Sequence, residues 1–195
     1  IVAFLVASTP AIYQPIFGTP LKWVVMLAPL AFIFIMSWSM ESMSAATAQL
    51  LFWAFCALMG LSLASIFLVF TGTSIARTLF IAAAMFGATS LYGYTTRRDL
   101  TSMGSFLIMG LIGVIIAMLA NLFIQSSALQ FAISVIGVIV FTGLTAYDTQ
   151  NIKQQYAEGH GSESQSKLAV FGALSLYLNF INIFQLLLGL TGERE

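Results

Sequence analysis

Charge is scarce in this sequence. Seven basic and seven acidic residues stand among 195, or 7%, where a soluble domain of this length would carry about 25%, roughly 49 residues. So few charges cannot cover a water-soluble globule, and apolar area of that size facing water would aggregate, so a soluble single domain is excluded. The formal net charge is zero. With no basic face to follow a phosphate backbone, nucleic acid is excluded as a partner. The single cysteine, Cys56, lies in an apolar run; one thiol makes neither an intrachain disulfide nor a thiolate metal cage, and it is read as a small core residue. The single histidine, His160, sits between Gly159 and Gly161 and is read as a solvated loop residue. An intramembrane serine protease would need a serine in a Gly-rich turn with an intramembrane histidine, and neither is present. There is no zinc motif, phosphate loop or dinucleotide fingerprint. The chain is therefore not read as an enzyme, and no cofactor is expected.

Apolar sequence is what remains, 59% of the chain. A spanning helix needs about 20 apolar residues to cross about 30 Å of hydrocarbon, so six would use about 120 residues and leave short loops. The expected architecture is an all-α polytopic membrane protein in one domain, residues 1–195. Ile1 to about Ser8 reads as the end of a first helix that starts upstream, without the pattern of a signal peptide. Ala11 to Pro20 is expected to be a loop, because Pro10, Pro15 and Pro20 punctuate it. Full spans follow at about 21–40, kinked at Pro29, then 45–70, 75–95, 104–124, 129–156 and 168–190. Ala157 to Lys167 is the one clearly hydrophilic loop. Arg97, Arg98, Lys153 and Lys167 on one side outnumber Lys22, Arg77 and Arg194 on the other, so the first side is expected to be cytoplasmic. Small residues at four-residue spacing, Gly60 with Ala64, Ala83 with Gly87 and Gly113 with Ala117, argue for close helix packing.

Polar residues inside such spans carry the information, since a carboxylate near the bilayer centre costs at least about 2.5 kcal/mol. Asp148 stands where the sixth apolar segment, counting the partial first helix, meets a polar stretch. If the helix stops at Tyr147, Asp148 is a solvated loop acid; if it runs to about Tyr156, Asp148 enters the bundle. Asp148 to Tyr156 holds no Gly or Pro, which favours the second reading. In the last segment Ser175, Asn179, Asn182 and Gln185 follow at spacings of four, three and three and are placed on one helical face. Such a stripe either faces a water-filled path or ties helices together at about 0.6 kcal/mol per contact.

Several stretches resemble the Bax inhibitor-1 family, also called transmembrane Bax inhibitor motif proteins, and in particular its bacterial inner-membrane members. They are Gly143-Leu144-Thr145-Ala146-Tyr147-Asp148-Thr149-Gln150 with Ile152-Lys153, Ala57-Leu58-Met59-Gly60-Leu61-Ser62, Ser90-Leu91-Tyr92-Gly93-Tyr94-Thr95-Thr96, and Leu176-Tyr177-Leu178-Asn179-Phe180-Ile181-Asn182. The resemblance implies a seven-helix bundle with the last helix central, in the inner (plasma) membrane. It also implies a pH-sensitive calcium leak, with protonation of an aspartate pair gating the path. Asp148 matches the first aspartate and would be the calcium contact. Asn179 stands where the second is usual, and an Asp with an Asn cannot share a proton as two carboxylates do.

Two functions follow. In the first, the chain is a slow leak for calcium or another cation, gated near Asp148 and Asn179, with Ser175, Asn182 and Gln185 facing the pore. In the second, it conducts nothing and regulates a membrane protease or channel through its helices, as the resemblance implies for some bacterial relatives.

Overall fold

The computed structural model describes residues 1–39, 43–157 and 161–194. Met40, the expected end of one span, and His160 lie outside the described residues. Regular structure among the described residues is helical, apart from an isolated antiparallel bridge between Phe70 and Arg194. In chain order the helices are α1 (Val2–Ala7), α2 (Pro10–Phe17), α3 (Leu21–Ser39), α4 (Ala45–Ser62), α5 (Ile66–Val69), α6 (Gly72–Thr95), α7 (Thr101–Ile124), α8 (Ser127–Ala157) and α9 (Ser162–Thr191). A 3-10 turn, Leu63–Ser65, joins α4 to α5. Six stretches are long and apolar enough to cross a membrane, and this is an all-α polytopic membrane fold. Large apolar side chains stand exposed along them, Phe80, Phe106, Ile116 and Ile139 among others, which is stable only where lipid covers them.

Three boundaries depart from expectation. The proline-punctuated stretch is not all loop but contains α2. Pro10 takes the first helical position, where a missing N–H is harmless, and Pro15 is accommodated inside a helix of only eight residues. The hydrophilic loop is shorter than Ala157 to Lys167, because α9 begins at Ser162 with Glu163 in its first turn. Glu, Gln and Lys are good helix formers, and an acid suits a helix amino terminus. The helix at Asp148 continues to Ala157, so Asp148 is not a loop acid.

The contacts divide the chain into two compact units. The first comprises residues 1–72, 161–170 and 193–195. In it α1 lies against α4 where Gly60 meets Val2, Phe4 sets its edge on Phe67, and Phe32 of α3 packs beside Phe55 of α4. The Thr71 N–H donates to the Glu193 carbonyl at 3.0 Å. Ser44 caps α4 by accepting from the Thr47 N–H at 3.2 Å.

The second unit, residues 73–160 and 171–192, contains α6, α7, α8 and most of α9. α8 is its middle element. Ala146 lies so close to Gly93 of α6 that a β-carbon there would collide with the Ala146 carbonyl; Tyr147 covers Gly104 of α7; Asp148 bonds to α9. Three consecutive residues therefore face three different helices, as steps of about 100° around a helix require. Further along, Gly143 receives Leu107 and Gly110 receives Val140 on the α7 side, while Gly137 receives Leu186 and Gly172 receives Ile152 on the α9 side. In their most apolar 18-residue stretches α8 is 39% buried and α9 33%, against 11% to 22% in the other four spans, so these two helices are the enclosed ones. The expectation for the small-residue pairs is corrected. Gly60 makes a close approach, but Gly87 and Gly113 have open space around them. Apart from Gly60, the packing glycines lie where α8 meets its neighbours, and spacing along one helix does not reveal which side faces a neighbour.

Candidate functional site

The site is built on α8 and α9, which run antiparallel in contact. Asp148 lies nine residues before the end of α8, about 14 Å along the helix, and is partly buried. Its Oδ2 accepts two hydrogen bonds from α9, one from the Ser175 hydroxyl at 2.6 Å and one from the Asn179 amide at 2.7 Å. Asn179 is buried, at 5% exposure, in the middle of α9. Ser175 and Asn179 stand one turn apart, so a single carboxylate oxygen takes both donors.

The other stripe residues do not join this cluster. The Asn182 amide donates to the Leu178 carbonyl of its own helix at 2.8 Å. Gln185 is exposed. Two successive three-residue steps turn it about 120° away from Asn179, so the expected one-face stripe of four is a face of three with Gln185 outside it.

Two residues to which the sequence assigned no role at the site hold the surroundings in place. Gln150 is buried and reaches the α6–α7 loop: its side-chain oxygen accepts from the Leu100 N–H at 2.8 Å and its amide donates to the Arg98 carbonyl at 2.8 Å. Lys153 donates to the Tyr94 carbonyl at 2.7 Å and lies over the Tyr94 ring, 4.7 Å from its centroid. It thus supplies positive charge to the carboxyl end of α6, where the helix dipole favours it. Both bond to backbone carbonyl or N–H groups, a role that no side-chain motif displays. The loop they reach is closed by Asp99, which accepts from both the Thr101 hydroxyl at 2.6 Å and the Thr101 N–H at 2.9 Å. The Thr101 hydroxyl and then its N–H hold the Asp99 carboxyl below its ordinary pKa.

Chemically the cluster is one carboxylate, one hydroxyl and one amide. No group of three His, Cys, Asp or Glu side chains converges among the described residues, and calcium in a resident site gathers six to eight oxygens. With Ser175 and Asn179 presenting hydrogens to Asp148, the arrangement is a satisfied, donor-capped carboxylate.

The model of the family described as inhibitor of apoptosis-promoting Bax1 matches residues 1–195. The chain belongs to the Bax inhibitor-1 family. An uncharacterized protein of Rickettsia prowazekii is 49% identical over 195 residues, which span 100% of this chain and 83% of that protein. Inner membrane protein YbhL of Escherichia coli K12 is 43% identical over 197 residues, covering 100% of this chain and 84% of YbhL. An uncharacterized protein of Caulobacter vibrioides is 46% identical over 200 residues, covering 97% of this chain and 80% of that protein. With inner-membrane homologues and six apolar spans, this member of the family is a multi-pass inner-membrane protein.

Proposed function

We propose that this protein is a slow cation leak, with calcium as the permeant ion, gated near Asp148 and Asn179, with Asp148 as the contact that a passing ion needs. The observation that carries the reading is the pair of short bonds from α9 to the Asp148 carboxylate. An acid within a membrane helix is costly and marks an ion path by default. Here two neutral donors satisfy its Oδ2 and tie α8 to α9. A cation arriving at Asp148 competes with those donors: the carboxylate exchanges hydrogen bonds for a metal contact, and Ser175 and Asn179 can turn oxygen atoms to the ion. Because the ligand set is small, binding is weak and the ion passes on.

The test is calcium flux into liposomes that contain the purified protein. Asp148→Ala is expected to reduce the leak at least about tenfold, the loss of roughly one charge-assisted contact. No flux from the unaltered protein, together with a membrane protease or channel recovered by crosslinking, would instead support the regulatory function.

A further inference from the structure

Two buried side-chain oxygens among the described residues meet no protein hydrogen-bond partner, Ser90 Oγ on α6 and Thr142 Oγ1 on α8. Hydroxyls on membrane helices usually return to their own backbone, and their neighbours do so. Thr89 donates to the Met85 carbonyl, Thr95 to Leu91, Thr145 to Phe141 and Thr149 to Thr145, at 2.7 to 2.8 Å. Ser90 and Thr142 depart from this local solution, and a buried hydroxyl left without a partner is destabilising.

The two lie at one depth. Gly93 meets Ala146, and Arg98 meets Gln150, so α6 and α8 run in the same direction. Ser90 and Thr142 each lie about one turn before the Gly93–Ala146 contact and therefore share a depth. α9 runs the other way, with Gly137 against Leu186 and Ile152 against Gly172, which brings Asn182 to the depth of Thr142. Asn182 commits its amide nitrogen to Leu178, and this leaves its side-chain oxygen to accept. Thr142 precedes Asp148 by six residues, about 9 Å along α8.

We propose that the Ser90 and Thr142 hydroxyls form an inner hydration station, holding water and receiving a hydrated cation on the path beyond Asp148. The proposal rests on the leak reading above and adds a second polar stop to it. Hydroxyls suit such a station, because each donates once and accepts twice and a buried water needs two to four polar partners. Unlike a carboxylate, a hydroxyl pair does not hold the ion by charge, which keeps passage fast once Asp148 has released it.

The experiment combines flux with water accessibility in the full chain in liposomes. Thr142→Val is expected to lower calcium flux at least about fivefold. Its thermal stability should be unchanged or raised, because the removed hydroxyl has no protein partner, and Thr142→Ser should restore the flux. In a Cys56→Ser background, a small water-soluble thiol reagent should label Thr142→Cys and Ser90→Cys faster than Ile116→Cys, whose position is exposed on a lipid-facing surface. Wild-type flux in Thr142→Val, or labelling no faster than at Ile116→Cys, would overturn the station. If the unaltered protein carries no flux, the leak reading fails by itself. Labelling then decides the station alone: faster reaction supports a hydrated site, and equal reaction overturns it.

Discussion

The two halves of α8 are held differently. From Ser127 to Leu144 the helix meets its neighbours mainly through apolar side chains set into glycines: Leu186 at Gly137, Val140 at Gly110 and Leu107 at Gly143. Its outer face presents Phe131, Ile136 and Ile139 to lipid. From Thr145 onward, close fits continue, with Tyr147 on Gly104 and Ile152 at Gly172, and directional bonds join them, with Asp148 tied to α9, Gln150 to the α6–α7 loop and Lys153 to the end of α6. Lipid is as apolar as leucine, so burial alone gives little preference for one helix neighbour over another. Close fit supplies that preference in both halves; the first adds one side-chain bond, from the Asn121 amide to Gln130, and the second adds bonds to three neighbouring elements. The polar half also carries the candidate gate, where a position must be held and then released.

The junction between the halves is the most sensitive place to break this comparison. Gly93→Val puts a side chain where the Ala146 carbonyl already lies. A backbone atom cannot rotate away, so the stability loss should reach or exceed about 1–3 kcal/mol, read as a lowered unfolding midpoint in detergent. A smaller effect belongs to Gln150→Ala, which strips partners from the Leu100 N–H and the Arg98 carbonyl. It should cost about 1–2 kcal/mol and speed hydrogen exchange at Leu100, while the Asp148 cluster stays formed.

The smallest effect is expected at Asp99. Its carboxyl titrates below the ordinary range because Thr101 donates to it twice. The depressed pKa means that the turn's contribution is present above the ordinary carboxylate pKa and is lost as pH falls through Asp99's own lower value. Thr101→Val removes the hydroxyl and should move the Asp99 titration, followed by carboxyl NMR, up toward the ordinary value. An unmoved titration would show that the hydroxyl does not hold the charge.

Sequence reasoning succeeded where the signal lies along one helix. The run from Asp148 to Tyr156 without Gly or Pro foretold the continuation of α8, and four-residue spacing placed Ser175 beside Asn179. It failed where the deciding partner lies on another element. Gln150 and Lys153 act on backbone groups roughly fifty or more residues away, and Gly93 matters because of Ala146, while Gly87 and Gly113 look alike in sequence and face open space. Hydrophilicity misled at Ser162 to Lys167, where polar residues are good helix formers, and prolines misled at α2. Gln185 was misplaced because three-residue steps drift around the helix. Asn179 carries the clearest lesson: it stands where the resemblance implies a second acid, and the structure has it pointing its amide at Asp148.

That substitution allows a direct test of the gate. A second carboxylate 2.7 Å from the first, in place of the present amide contact, would share a proton with it and titrate as a pair. Calcium flux into liposomes is measured from about pH 5 to about pH 8 for the unaltered protein and for Asn179→Asp. The account predicts a steeper dependence of flux on pH in the variant, with stronger calcium block at the higher pH values. Superimposable curves would contradict it and show that Asp148 and Asn179 do not form the gate.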